Sequence, residues 1–221
     1  MRTGIDGDRA ADSLPIPPSW GVYETWCFVA VARLLGSITG RALLSCGSRI
    51  AGADLALQAS LSGGTRIEVL FQATFPSGGA YPHQRAWSLS RERRPDIVLV
   101  AERNGHRRLM VLDAKWRSGR ENLLDAMTSA HVYHDSLRID SSRPDMSLLL
   151  VPGADEPSLG YLGESAFRAT HGVGALSRFR PGDSGIEQCR GVLEHWLAAC
   201  GHVPSDFPTD GGRSSLAGAC A

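Results

Sequence analysis

Residues 94–117 read R-P-D-I-V-L-V-A-E-R-N-G-H-R-R-L-M-V-L-D-A-K-W-R. Two apolar runs, 97–100 and 109–112, flank Asn104-Gly105. That dipeptide accepts positive φ at both central positions of a turn, so the stretch predicts a tight antiparallel hairpin. Asp96 opens the first strand after a proline, and Asp113 and Lys115 close the second. Side chains two residues apart share one face of a strand. An antiparallel hairpin sets the start of its first strand beside the end of its second. Asp96, Asp113 and Lys115 are therefore expected to cluster in space.

The rest of the chain bounds what such a cluster could serve. At 221 residues, 43% hydrophobic and 21% charged, it suits a single globular domain with a substantial core. We expect that domain to span 19–200, between disordered tails at 1–18 and 201–221. No apolar run approaches the roughly 20 residues that cross a bilayer. The first residues, M-R-T-G-I-D-G-D-R-A-A-D, carry acids and no apolar signal segment, so a cytoplasmic, non-membrane protein is expected. The cysteines at 27, 46, 189, 200 and 220 form no C-x-x-C pair, which argues for reduced thiols and against a zinc site.

A formal net charge of zero gives no globally basic surface. Arginines do gather at 91, 93 and 94, at 103, 107 and 108, and at 117 and 120. They read either as solvated strand ends or as phosphate contacts beside a site. All but one of the 23 basic residues are arginine, and the exception is Lys115. A chain that otherwise uses guanidinium has kept a compact ammonium there, and the two groups are not interchangeable.

Upstream, Ser19 can cap a helix over about Trp20–Leu35. Its apolar face is Cys27, Phe28, Val31, Leu34 and Leu35, and Glu24 falls on that face. A carboxylate on a buried face needs a partner or a cation, although a first-turn acid also favours the helix dipole. Residues 36–64 are punctuated by glycines and predict loops with a strand or short helix. T-R-I-E-V-L-F-Q-A-T-F at 65–75 alternates and predicts a half-buried strand, followed by a loop that contains Trp87.

Downstream, a helix is expected over about Glu121–Leu137, with Leu123, Ala126, Met127, Ala130, Tyr133 and Leu137 on one stripe. M-S-L-L-L-V at 146–151 predicts a strand buried on both faces and parallel to the second hairpin strand. An edge strand within 172–179 and a helix over Ile186–Cys200, with Val192, Leu193, Trp196 and Leu197 inward, complete an α/β domain.

Asp96 and Asp113 supply hard oxygen ligands of the kind Mg²⁺ takes, together with waters and phosphate oxygens. Mn²⁺ could substitute. The main-chain carbonyl of Ala114 could add a third oxygen, and Glu24 could reach the same cation directly or through water. Lys115 could hold or help deprotonate an attacking water, or stabilise charge developing at phosphorus. The combination points to phosphodiester hydrolysis. A paired-carboxylate glycosidase would not need Lys115 and would want an aromatic sugar cleft, against 7% aromatic content. G-x-S-x-G is absent, so a hydrolase of the nucleophile-elbow type has no signature. His131 and His134 stand i, i+3 on the helix after Lys115, where such residues are commonly surface or satisfied core groups.

P-D-I-V-L followed by L-D-A-K-W-R resembles the PD-(D/E)XK nuclease superfamily. Y-E-T-W-C-F at 23–28 and H-V-Y-H-D-S-L at 131–137 are similar to helices of the nuclease domains related to the nuclease subunit of McrBC-type restriction systems. The resemblance covers about residues 20–180. It implies a restriction-endonuclease-like core, a central mixed sheet flanked by helices. It also implies a Mg²⁺-dependent DNA endonuclease in a restriction or defence setting. Glu24, Asp96, Asp113 and Lys115 would be catalytic, with the first three and the Ala114 carbonyl on the metal. Arg94, Arg117, Arg120 and Tyr133 would contact nucleic acid. A homodimer, or a targeting or ATPase partner, is implied as well. Many members carry Q-x-x-x-Y on the helix after the D-x-K strand, and position 129 here is serine. A nuclease fold that binds nucleic acid or a partner without cutting, and an RNA or junction nuclease, stay open as alternatives.

Overall fold

The computed structural model describes residues 19–78, 84–116, 119–153 and 157–201. The expected tail at 1–18, the expected tail at 201–221 apart from Gly201, and Arg117 lie outside the described residues. Among those described, a mixed seven-stranded sheet runs in the order β1-β2-β3-β5-β6-β8-β9. Its strands are β1 (Leu44–Ser45), β2 (Leu55–Ser60), β3 (Arg66–Phe71), β5 (Ile97–Arg103), β6 (His106–Ala114), β8 (Met146–Leu150) and β9 (Val173–Leu176). A second, two-stranded ribbon pairs β4 (Ala86–Ser88) with β7 (Leu137–Ile139). The helices are α1 (Ser19–Thr39), α2 (Arg120–Ser136), α3 (Ser165–His171) and α4 (Gly185–Ala199). This is the α/β architecture expected from the hairpin and its flanking helices, and the central mixed sheet flanked by helices that the resemblance implies.

The hairpin is β5–β6, antiparallel, with Ile97 opposite Leu112 and Arg103 opposite His106. Asn104 and Gly105 turn it at φ 51° and 79°, the left-handed conformation that Asn and Gly tolerate best. Beyond β6 the chain rises through α2 and returns as β8, parallel to β6 with Asp113 beside Leu149. β9 adds a parallel edge strand. Parallel central strands must be covered on both faces, and their near-continuous apolar sequences follow from that.

One face, carrying Ile97, Leu99, Met110, Leu112, Leu148 and Leu150, packs under α1 and α4. On the other face Val98, Val100, Leu109 and Val111 pack with Phe75, Leu137 and Ile139. Leu149, Val173 and Ala175 lie with α2 residues Leu123, Met127 and Ala130. The ends of β5 and β6 thus open at one edge of a covered sheet, between α1 on one side and α2 on the other.

Several elements depart from the sequence-based expectation. The alternating segment at 65–75 is not half-buried: Ile67, Glu68, Val69 and Leu70 are all buried, because Ile67 and Val69 pack into the core under α1 and α4 and Leu70 packs on the other face with Phe75, Leu137 and Ile139. It also stops at Phe71, where Gln72 turns to φ 49°. Trp87 lies on strand β4 rather than in a loop. Leu137 is fully buried but begins β7 instead of ending α2. Helix α1 runs a turn further than expected, to Thr39.

Candidate active site

Ile97 pairs with Leu112, so Asp96 and Asp113 stand opposite one another a step beyond that pair. Both are buried, at 9% and 2% exposure. Asp96 Oδ2 accepts a hydrogen bond from the Ala114 amide at 2.7 Å. Its peptide carbonyl accepts from the Gln72 amide, also at 2.7 Å. Asp113 Oδ2 lies 2.6 Å from Lys115 Nζ and 2.9 Å from Ser129 Oγ on α2.

Glu24 enters from α1 on the opposite side. The Gln72 amide side chain donates to Glu24 Oε2 at 3.0 Å. Gln72 occupies left-handed backbone, a conformation that costs a non-glycine residue about 1–2 kcal/mol. This strained residue contacts Asp96 through its backbone and Glu24 through its side chain. Strain of this kind tends to be retained where surrounding structure fixes a functional geometry.

Electrostatically the cluster is short of positive charge. Glu24, Asp96 and Asp113 face one ammonium. Burial, the Asp113 charge, the Asp113 hydrogen bond and Glu24 together push the Asp96 carboxyl up to about 8, against the opposing Ala114 amide. Burial and the Asp113 charge also raise Glu24, while Lys115 and Gln72 oppose the shift. Tyr133 is raised by burial and by the Asp113 and Asp96 charges, and it lines the same cleft as Lys115 and Ser129.

The donor set suits a hard divalent cation. A proton held on the buried Asp96 carboxyl is what such a cation would displace. Among the described residues no three His, Cys, Asp or Glu side chains converge as a ready-made metal cage. Two carboxylates with remaining positions for water and phosphate is the arrangement Mg²⁺ typically uses. Asp96, Asp113 and the Ala114 carbonyl are the groups that could hold it, with Glu24, tethered by Gln72, in an outer position.

Beside Lys115 lies an open cleft of about 540 Å³, lined by Arg91, Arg93, Asp125, Ser129 and Tyr133 among others. Arg93 is fixed by paired backbone hydrogen bonds with Phe75, at 2.8 and 2.9 Å, and its Nε is buried with no hydrogen-bond partner. The sequence-based contacts are placed less uniformly. Arg94 turns away, donating to Asp54 Oδ1 at 2.6 Å and to the Gln72 carbonyl at 3.2 Å. Arg120 pairs with Glu121 at 2.8 Å in solvent. Tyr133 lines the cleft, whereas His134 lies against Asp135, its Nδ1 2.8 Å from Asp135 Oδ1.

Sequence reasoning missed two members of this constellation. Ser129 carried a signal, since it stands where relatives place a polar residue four before the tyrosine. Gln72 carried none, because its role follows from the chain reversal at the end of β3.

A sequence model described as the PD-(D/E)XK nuclease superfamily matches residues 21–147. That span runs from within α1 to the start of β8 and includes Glu24, Asp96, Asp113 and Lys115. No curated protein and no solved structure matches the chain significantly.

Proposed function

This chain belongs to the PD-(D/E)XK nuclease superfamily, and from that membership we propose that it is a Mg²⁺-dependent endonuclease acting on DNA in a restriction or defence setting. The observation that carries the reading is the charge imbalance at the strand ends. Three carboxylates face one lysine, and both Glu24 and Asp96 are pushed towards their neutral forms. A divalent cation relieves that repulsion.

Asp96, Asp113 and the Ala114 carbonyl would hold the cation, which would supply positive charge to the phosphate oxygens and make the attacking water more acidic. The protein does the rest by position. Ser129 Oγ, 2.9 Å from Asp113 Oδ2, holds that carboxylate facing the site. Lys115 Nζ, 2.6 Å from the same oxygen, orients the attacking water and balances charge as the phosphorus becomes five-coordinate. The water oxygen bonds to phosphorus and the bond from phosphorus to the leaving sugar oxygen breaks. Protons pass from the water to solvent and from solvent to the leaving oxygen. The products are a phosphate monoester and a free hydroxyl. Arg91 and Arg93 contact flanking phosphates, and Arg120, at the start of α2, does so further out.

The test is a substrate panel of supercoiled plasmid, linear duplex, single-stranded DNA and RNA, each with Mg²⁺, Mn²⁺ or EDTA. Cleavage of DNA that requires the metal supports the proposal. Cleavage of RNA alone would reassign the substrate, and cleavage that persists in EDTA would reject the metal.

A further inference from the structure

Lys115 is followed by Trp116, which is 52% exposed although it stands at the rim of the charged cluster. Water gains nothing from a large apolar ring held in that position, and the ring is not loose. It lies 5.3 Å from Tyr23, tilted by 55°. Tyr23 stacks on Trp26 at 5.9 Å and 19°, and Trp26 packs against Phe179 at 5.4 Å. The Tyr23 hydroxyl donates to the Phe179 carbonyl at 2.8 Å, and Phe179 is fully buried. Four rings thus form a braced stack from the core to the surface, ending in an exposed tryptophan one residue from the lysine.

The placement is two-sided. Asp113 meets Ser129 of α2, and Lys115 lines the arginine-bearing cleft. Trp116, next along the chain, leans on α1 through Tyr23. A nucleic-acid strand crossing the strand ends would meet cations on one side and an aromatic surface on the other. Cations read phosphates, whereas an exposed ring reads the face of a base. In an intact duplex those faces are covered by neighbouring bases, so the ring can be used only where a nucleotide is unpaired.

We propose that Trp116 is a stacking platform for an unpaired base next to the phosphodiester held at Lys115, so that the preferred substrates carry a single-stranded segment at the cleavage point. The proposal rests on the nuclease reading for its substrate class. A rigid ring needs no ordering when the base arrives, which is the benefit of bracing it.

The test measures binding separately from cleavage. In the full chain carrying Lys115→Ala, fluorescence anisotropy would follow a single-stranded oligonucleotide, a blunt duplex and a duplex with an unpaired tail. Trp116→Ala and Trp116→Leu should each weaken the single-stranded and tailed ligands about tenfold or more, and Trp116→Phe should restore most of the loss. Blunt duplex should change less than twofold. Equal weakening of all three ligands, or none, would overturn the platform. So would a dimer that dissociates on Trp116→Ala with binding unaltered, which would make the ring a protein–protein contact. Thermal midpoints of the variants check that the fold is kept. With Lys115 restored, cleavage is scored separately. The predicted binding pattern without any cleavage rejects the nuclease reading and leaves the platform, whereas cleavage indifferent to Trp116 rejects the platform alone.

Discussion

Asp96 is the residue whose protonation reports the state of the site. Its ordinary value is near 4, and burial with the Asp113 charge lifts it to about 8 in the folded chain. The folded protein therefore binds a proton that the unfolded chain has released. Its stabilisation is full below about pH 4 and is lost as pH rises through about 8. Without metal, the thermal midpoint should fall between pH 5 and 9, and Asp96→Asn should flatten that slope in a melting series. Metal and proton compete for the same oxygens, so Mg²⁺ affinity measured by calorimetry should rise from pH 6 to 9. Ser129→Ala removes the hydroxyl that contacts Asp113. It should lower cleavage about tenfold or more with little change in melting temperature, whereas Ser129→Thr keeps the hydroxyl and should keep much of the rate. Asp96, Asp113 and Lys115 could be read in the sequence because strand period and a two-residue turn fix their relation. Gln72 could not, since nothing local distinguishes it from a strand residue.

At the scale of elements, the reversal after β3 does more than end a strand. It carries Gln72 between Asp96 and Glu24, joining β5 to α1 by hydrogen bonds at 2.7 and 3.0 Å. Gln72→Gly relieves the left-handed backbone and removes the side-chain contact. The thermal midpoint should hold or rise slightly, while cleavage falls about tenfold as Glu24 loses its tether. A lower midpoint with unchanged cleavage would show that Gln72 serves only the fold. The elements the sequence predicted well were those with a strong period or turn: the hairpin, α2, β8 and α4. The strand at 65–75 was misread as half-buried because alternation reports one face only. Glu68 takes a polar place in the pattern, yet it is 2% exposed under the second layer built from Phe75, Leu137 and Ile139. That layer depends on segments far apart in the chain, and local periodicity does not encode it.

Across the whole molecule, the sheet buries both faces and gathers Asp96, Asp113 and Lys115 at one set of strand ends, where two helices supply Glu24 and Ser129. No helix among the described residues is long and apolar enough to cross a membrane. Net charge is zero, so duplex affinity should come from few phosphate contacts and show a shallow salt slope, of about three to five in log–log terms. Filter binding between 50 and 200 mM salt measures this. A ligand that binds only the folded state stabilises by mass action, so millimolar Mg²⁺ or Mn²⁺ should raise the melting temperature of the native chain and not that of Asp113→Asn. The most direct measurement is plasmid cleavage by native protein, Lys115→Ala and Lys115→Arg side by side in Mg²⁺ and in EDTA. The account predicts cleavage by native protein in Mg²⁺ alone, with both variants slower by at least about a hundredfold and folded to the same melting temperature. Comparable cleavage by either variant, or by native protein in EDTA, would contradict it.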